Sequence, residues 1–328
     1  MKDLVLNFAS QLHESLIIGE SHHFIADTTK DIRNIVLTGL GGSGIGGSIV
    51  QNYVFDKCPI PFTVNKDYYL PSYINQHSLV IISSYSGNTE ETTAAMQQAI
   101  KAKANIVCIS SGGKVTEIAK KKNFDCILLP AGMPPRSCIG YSMIQVLFIL
   151  RHYGFIKGDF VKEIKAVIKT LNAEEKNIQK TAKNIAQKLL GKLPFIYAAS
   201  PYEGLTMRVR QQLNENSKII AVNNVFPEMN HNELVGWREK DDNKVVLFLR
   251  NEDDNARVQT RMDISKKLIK KTTPNIIELY SIGKGYWEKI FYFIHVTDWV
   301  SVILADLREV DAMEIKSIDL LKNELAKV

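Results

Sequence analysis

Residues 79–92 read LVIISSYSGNTEET. The opening LVII is apolar and β-branched, the pattern of a short buried strand rather than a helix. Behind it stand five hydroxyl side chains, Ser83, Ser84, Ser86, Thr89 and Thr92, around a single glycine, Gly87. A turn needs only Gly87 and Asn88. Ser and Thr also cap helix N-termini, which accounts for one or two of the hydroxyls. The remainder fit an anion cradle, because hydroxyls and free backbone N–H groups at a helix start suit a phosphate group.

The same alternation continues on both sides. Short β-rich runs occur at 34–38, 62–64, 105–109 and 126–129, and helical patterns at 90–103 and 115–122 separate most of them. Continuously apolar strands alternating with helices imply a parallel sheet covered on both faces. A helical pattern at 141–152 and a Lys-rich one at 157–192 follow, and then strands resume at 193–197, 218–222, 244–249 and 275–279. The expected class is α/β, with two units at 1–153 and 154–328, each a parallel β-sheet flanked by helices.

Composition narrows the function classes. The 328 residues carry a net charge of +6 and are 45% hydrophobic and 23% charged, as in a globular protein. The lysines of 157–192 interleave with apolar residues at helical spacing, which makes them a solvated helix face rather than a nucleic-acid site. The basic balance suits small anionic substrates. Four cysteines, Cys58, Cys108, Cys126 and Cys138, form no C-x-x-C pair and are expected to be reduced thiols of a cytosolic protein. The amphipathic start, MKDLVLNFASQLHESL, has no signal-peptide pattern. The late apolar stretch 290–304 contains His295 and Asp298, is too short to span a bilayer, and is expected to be a core helix. Neither a nucleic-acid nor a membrane partner is expected.

A second loop follows the first strand: GLGGSGIGG, residues 39–47. Gly39, Gly41 and Gly44 satisfy G-x-G-x-x-G, and Asp67 lies at the distance expected of a ribose-binding acid, so the dinucleotide fingerprint is formally met. No lysine follows the glycines as a P-loop requires. The alternative is that Gly41 and Gly42 let the backbone approach a sugar closely while Ser43 adds a hydroxyl. A dinucleotide leaves the loop at 83–92 unexplained, and a sugar phosphate held between the two loops explains both. Ligands of open parallel sheets bind outside the carboxyl ends of the strands at a switch point, so both loops should share one edge.

The two loops together resemble those of sugar isomerase (SIS) domains. Four further stretches narrow the resemblance: GMPPRSCIGYS at 132–142, QLNEN at 212–216, NHNE at 230–233 and SIDLLKNEL at 317–325. In this order they resemble the bifunctional phosphoglucose/phosphomannose isomerase family, which has two SIS domains. The resemblance implies a cofactor-independent and metal-independent aldose–ketose isomerase. It would interconvert glucose 6-phosphate and fructose 6-phosphate through an enediol, with mannose 6-phosphate as a further substrate.

It also implies roles. Ser84, Ser86 and Thr89 would hold the phosphate, with Gly41, Gly42 and Ser43 lining the sugar. Glu215 matches the proton-shuttling carboxylate, a task that contributes about 10²–10⁴-fold. His231 matches the ring-opening histidine, contributed across a homodimer interface, with Glu233 as a candidate to orient it. Arg136, behind the stiff pair Pro134–Pro135, matches the guanidinium that stabilises the enediolate. Lys322 matches the C-terminal lysine, and Lys316 competes for that place. His231 with Glu233, and His22 with His23, give no three-ligand metal set. A non-catalytic sugar-phosphate sensor is the rival reading, although it would leave Glu215, His231 and Arg136 idle.

Overall fold

The computed structural model describes residues 1–325 and Lys327. It contains two parallel sheets. The first is built from β1 (Asn34–Thr38), β2 (Phe62–Asn65), β3 (Ser78–Ser83), β4 (Asn105–Ser110) and β5 (Asp125–Leu128), in the order β2-β1-β3-β4-β5. The second contains β6 (Leu193–Ala199), β7 (Val222–Phe226), β8 (Lys244–Arg250) and β9 (Ile276–Tyr280), in the order β7-β6-β8-β9. Every residue of β3 and β4 is buried, as expected of strands covered on both faces. Their register pairs Leu79 with Asn105 and Ile81 with Val107.

Helices cover both sheets. In chain order they are α1 (Lys2–Leu6), α2 (Phe8–Ser21), α3 (Gly41–Val54), α4 (Glu90–Lys101), α5 (Gly113–Lys122), α6 (Ile139–His152), α7 (Phe160–Leu189), α8 (Glu203–Glu215), α9 (Ala256–Ile269), α10 (Tyr286–Leu307) and α11 (Lys316–Leu325). The Lys-rich stretch is one 30-residue helix, α7, begun by the Asp159 carboxylate accepting from the Lys162 amide at 3.0 Å. Ile164, Val167, Leu171 and Ile178 form its buried stripe, and its lysines face solvent.

One apolar core runs through both halves. It joins Leu37 and Ile81 of the first sheet to Leu247 of the second through Ile49, Leu147, Leu205, Val209, Phe291 and Phe293 of α3, α6, α8 and α10. Each such side chain contributes about 1.5–3 kcal/mol on burial. The α3–α8 contact is close because Gly204 has no side chain; a Cβ there would lie 2.9 Å from the Ile49 nitrogen. This packing brings the C-terminal end of α8 to the carboxyl edge of the first sheet.

One expectation needs correction and another an extension. The run 218–222 is no strand: Lys218 adopts φ +55°, Ile220 is 75% exposed, and β7 begins only at Val222. The β-branched pair Ile219–Ile220 imitates a strand, but the chain there is still turning out of α8, and the strand uses Asn223 and Asn224 instead. The stretch 290–304 belongs to a 22-residue helix, α10, which by length and composition could cross a membrane, yet 83% of its apolar window is buried inside the protein. It is a core helix, longer than its apolar run.

Candidate active site

At the carboxyl edge of the first sheet, β1 and β3 are neighbours whose chains leave in opposite directions, and both loops lie there. They touch: the Tyr85 amide donates to Ser43 Oγ at 3.2 Å. In the second loop the Ser84 hydroxyl donates to Thr89 Oγ1 at 3.1 Å, and Ser86 Oγ accepts from the Asn88 amide at 3.3 Å. Thr89 is the N-cap residue of α4, but its side chain makes no capping bond. The cap therefore does not consume its hydroxyl. First-turn N–H groups of a helix have no intrahelical partner, so α4 adds donors to this hydroxyl cluster.

Gly87 sets the shape of the loop. It adopts φ +68°, and a Cβ would lie 1.7 Å from the Gly112 carbonyl oxygen, a clash no side chain survives. The loop is further tied to the start of α5 by Val115 N–H to Gly87 O (3.0 Å) and Lys114 N–H to Asn88 Oδ1 (3.1 Å). Ser84 is buried, Thr89 half-buried and Ser86 exposed, which grades the cradle from floor to mouth.

The Arg136 loop is fastened to both. The Tyr85 hydroxyl donates to the Pro130 carbonyl (2.7 Å) and accepts from the Met133 amide (3.2 Å). Gly42 lets the chain pass close, since a Cβ there would sit 2.5 Å from the Pro135 carbonyl oxygen. Arg136 itself is only 4% exposed. Its Nε donates to Asn216 Oδ1 (2.8 Å), and Nη2 donates to the carbonyls of Ala312 (2.7 Å) and Met313 (3.2 Å). Nη1 faces the Glu215 carboxylate at 3.6 Å. Burial pulls the guanidinium below its ordinary pKa, while the Glu215 charge holds it up.

Glu215 ends α8, and its side chain is 28% exposed. It opens into a cleft of about 410 Å³ lined also by Asn214, Lys218, Glu314, Lys316 and Ile318. A carboxylate open to a cleft with a guanidinium at its side can take up a proton and stabilise the oxyanion that results.

The family comparisons agree with this geometry. The family model described as the bacterial phospho-glucose isomerase C-terminal SIS domain matches residues 178–325. The bifunctional phosphoglucose/phosphomannose isomerase of Caldicellulosiruptor bescii is 41% identical over 100% of this chain and 99% of its own. The chain belongs to the bifunctional phosphoglucose/phosphomannose isomerase family. Its namesake from Aquifex aeolicus is 36% identical over 92% of this chain and 94% of its own. In fold, the chain is also similar to the C-terminal domain of glucosamine-fructose-6-phosphate aminotransferase from Francisella tularensis. That match has a TM-score of 0.75 at 13% identity and covers 94% of this chain and 96% of that one.

In this member of the family, Gly41, Gly42, Ser43, Ser84, Ser86 and Thr89 gather at one sheet edge, and Arg136 joins Glu215 beside it. His231 does not join them within the chain. It ends a short 3₁₀ turn, Glu228–His231, beyond the carboxyl end of β7, and is exposed. Glu215 precedes β7, so a strand spanning about 16 Å separates them across the second sheet. No hydrogen bond joins Glu233 to His231; its carboxylate accepts from the Asn224 side chain (2.7 Å) and the Tyr197 hydroxyl. Lys322 lies exposed on α11 and does not line the Glu215 cleft, whereas Lys316 does. The Asp67 carboxylate turns onto its own loop, accepting from the Tyr68 amide at 2.6 Å. Among the described residues, no group of three or more His, Cys, Asp or Glu side chains is placed to hold a metal ion.

Sequence reading missed the supports of this site. Arg208 is 1% exposed; it donates to Asp298 at 2.6 Å and to the Arg136 carbonyl at 3.3 Å. Gln212 donates to the second oxygen of Asp298 at 3.0 Å. Asn216 donates to Ser301 Oγ at 2.9 Å while accepting from Arg136. The signal was present: Arg208 and Gln212 sit among the apolar residues of α8, and Asp298 interrupts α10. Buried charges need partners, and these three supply one another.

Proposed function

We propose that the chain is an aldose–ketose isomerase acting on hexose 6-phosphates. It interconverts glucose 6-phosphate with fructose 6-phosphate, and mannose 6-phosphate with fructose 6-phosphate, through an enediol and without a cofactor or metal. The observation that carries this reading is the pair Glu215–Arg136 at 3.6 Å, with Glu215 open to a cleft and Arg136 on a segment packed against the glycine-rich loop at Gly42. The relatives' names supply the substrates. In this reading Ser84, Ser86 and Thr89 hold the phosphate, and Gly41, Gly42 and Ser43 lie along the sugar.

The open-chain aldose presents its C2 proton to the Glu215 carboxylate. As the C2–H bond breaks, its electrons form the C1=C2 double bond and negative charge gathers on O1, where Arg136 donates hydrogen bonds. O1 is protonated, O2 gives up its proton to become the ketone, and Glu215 returns its proton to C1. Glucose and mannose differ only at C2, so both pass through the same enediol. Ring opening needs a proton moved from the anomeric hydroxyl to the ring oxygen. His231 takes that task from a second subunit, because its own chain holds it at the far end of the second sheet from Glu215. A lysine of α11, Lys322 by resemblance or Lys316 by position, assists. The working state is a homodimer. Its compartment is the cytosol, where Cys58, Cys108, Cys126 and Cys138, all free, stay reduced.

Glu215→Gln tests the reading, because it keeps shape and removes the base. Turnover should fall by about 10² or more with fructose 6-phosphate binding little changed. In deuterated water the wild type should incorporate solvent deuterium at the transferred position and the variant should not. Rapid exchange surviving in Glu215→Gln would assign the proton transfer to another group.

A further inference from the structure

A guanidinium is a rigid fork of about five N–H donors, and in Arg136 most of them are spent inside the protein. Nε donates to Asn216 Oδ1 (2.8 Å), and Nη2 donates to the carbonyls of Ala312 (2.7 Å) and Met313 (3.2 Å). The donors of Nη1 find no hydrogen-bond acceptor among the described residues; the Glu215 carboxylate faces them at 3.6 Å. Nη1 is therefore the end of the fork left for an oxyanion. Its direction is set by whatever holds Nε and Nη2.

Among the described residues, Asn216 is the only one that holds the fork with a side chain. It is fully buried, directly after Glu215 at the end of α8. A guanidinium only donates, so the Asn216 amide must turn its oxygen to Arg136 and its nitrogen to Ser301 Oγ, which it reaches at 2.9 Å. The Ser301 hydroxyl gives its own hydrogen to the Asp298 carbonyl (2.7 Å). Beside this chain of bonds, the Ser217 hydroxyl donates to the Ser301 carbonyl (2.6 Å), so α8 is tied to α10 at adjacent residues.

We propose that Asn216 is a positioning residue for the isomerase chemistry. Its amide oxygen fixes the Arg136 fork so that Nη1 stays beside Glu215, aimed at the oxygen that becomes negative as the C2 proton leaves. The inference rests on the reading of Arg136 as the stabiliser of that oxygen. A preorganised donor lowers the barrier only while it keeps its aim, and a misplacement of about 1 Å costs about 10²-fold.

Three variants separate the aim of Arg136 from the tie between helices. Asn216→Ala loses both bonds. Asn216→Asp keeps an acceptor for Nε and loses the donor to Ser301. Ser301→Ala keeps Asn216 and removes its anchor on α10. Glucose 6-phosphate isomerisation is measured for each, with thermal melting run beside it. In Asn216→Ala, kcat should fall about 10²-fold with KM within about twofold, because the phosphate contacts lie elsewhere. Asn216→Asp and Ser301→Ala should each lose no more than about fivefold in kcat. Asn216→Leu refills the space that alanine empties and carries the same expectation as Asn216→Ala if the alanine variant does not fold. A wild-type kcat in the folded alanine or leucine variant would overturn the inference, as would a loss confined to KM. So would a loss in Asn216→Asp or Ser301→Ala equal to that in Asn216→Ala, since the tie to α10 would then be what matters. Arg136→Lys separates this from the parent reading, because an ammonium keeps the charge without the fork. An inactive wild type, or a fully active Arg136→Lys, would sink the role of Arg136; activity lost in Arg136→Lys but intact in Asn216→Ala would sink only the role of Asn216.

Discussion

On the proposed reading, Ser84, Ser86 and Thr89 hold a dianion where no lysine or arginine lies in the loop. Ser86 and Thr89 can each donate one hydrogen bond while Ser84 donates to Thr89, and a bond to a charged acceptor is worth about 1.5–3 kcal/mol. The internal bonds of the loop, Ser84 to Thr89 and the Asn88 amide to Ser86, keep these groups oriented before any ligand arrives. If the phosphate stays put while the other end of the sugar reacts, its contacts are the same in ground and transition states. Ser86→Ala and Thr89→Ala should therefore each raise KM for the sugar phosphates by about tenfold or more, with kcat nearly unchanged. Steady-state kinetics check this, and a thousandfold loss of kcat at constant KM would show that the loop does more than hold phosphate.

Among the elements, the α7–α10 pair is joined by a polar cluster centred on Glu175. Glu175 on α7 accepts from Gln179 (2.7 Å), from the Trp299 indole of α10 (3.0 Å) and from His295 of α10, whose side chain is 1% exposed. Burial pushes the Glu175 carboxyl up, but the hydrogen bonds led by His295 outweigh it and leave its pKa below the ordinary range. A depressed carboxyl contributes stability that is fully present above its unfolded value, about 4.3, and is lost as pH falls through the lower folded value. Glu175→Gln should thus lower stability by about 1–2 kcal/mol at pH 7, a deficit that shrinks below about pH 4. Urea unfolding of both proteins across that range measures it. Lengths and ends of elements follow the same logic of partners: α10 outruns its apolar stretch because Trp287 and Lys289 are buried and Tyr286 half-buried by their neighbours.

For the molecule as a whole, the open question is assembly. The topology of β6, α8 and β7 puts Glu215 and His231 at opposite ends of one sheet, and no movement of side chains brings them together. The proposed homodimer resolves this if one subunit's His231 enters the other's cleft. Mixing Glu215→Gln with His231→Ala chains should then restore activity in exchanged dimers, toward about a quarter of wild type per subunit if exchange is random, by counting which sites hold both intact groups. Verified mixed dimers without recovered activity would place both groups' work within one chain. We propose a division of the chain at 153/154, in the turn between α6 and α7; the apolar core runs through both sides, so the halves should unfold together.

Period and loop chemistry were enough to read the first sheet, and all of the second but its strand β7, from residues alone. Strands at 34–38 and 79–83, hydroxyls behind them and glycines between are local patterns, set by backbone sterics and by burial on both faces. The shared edge of the two loops also followed, because parallel topology leaves few alternatives. Contacts between distant elements did not follow. That residues 136 and 215 meet depends on how closely α8 settles against α3 at Gly204, and the buried set Arg208–Gln212–Asp298 depends on the same packing. Nor did periodicity reveal that Ile219–Ile220 is a turn, since that is decided by where α8 stops. Local pattern carries the conformation of each segment; only the packed interior decides which side chains meet across it, because burial gives a polar group a partner or excludes it.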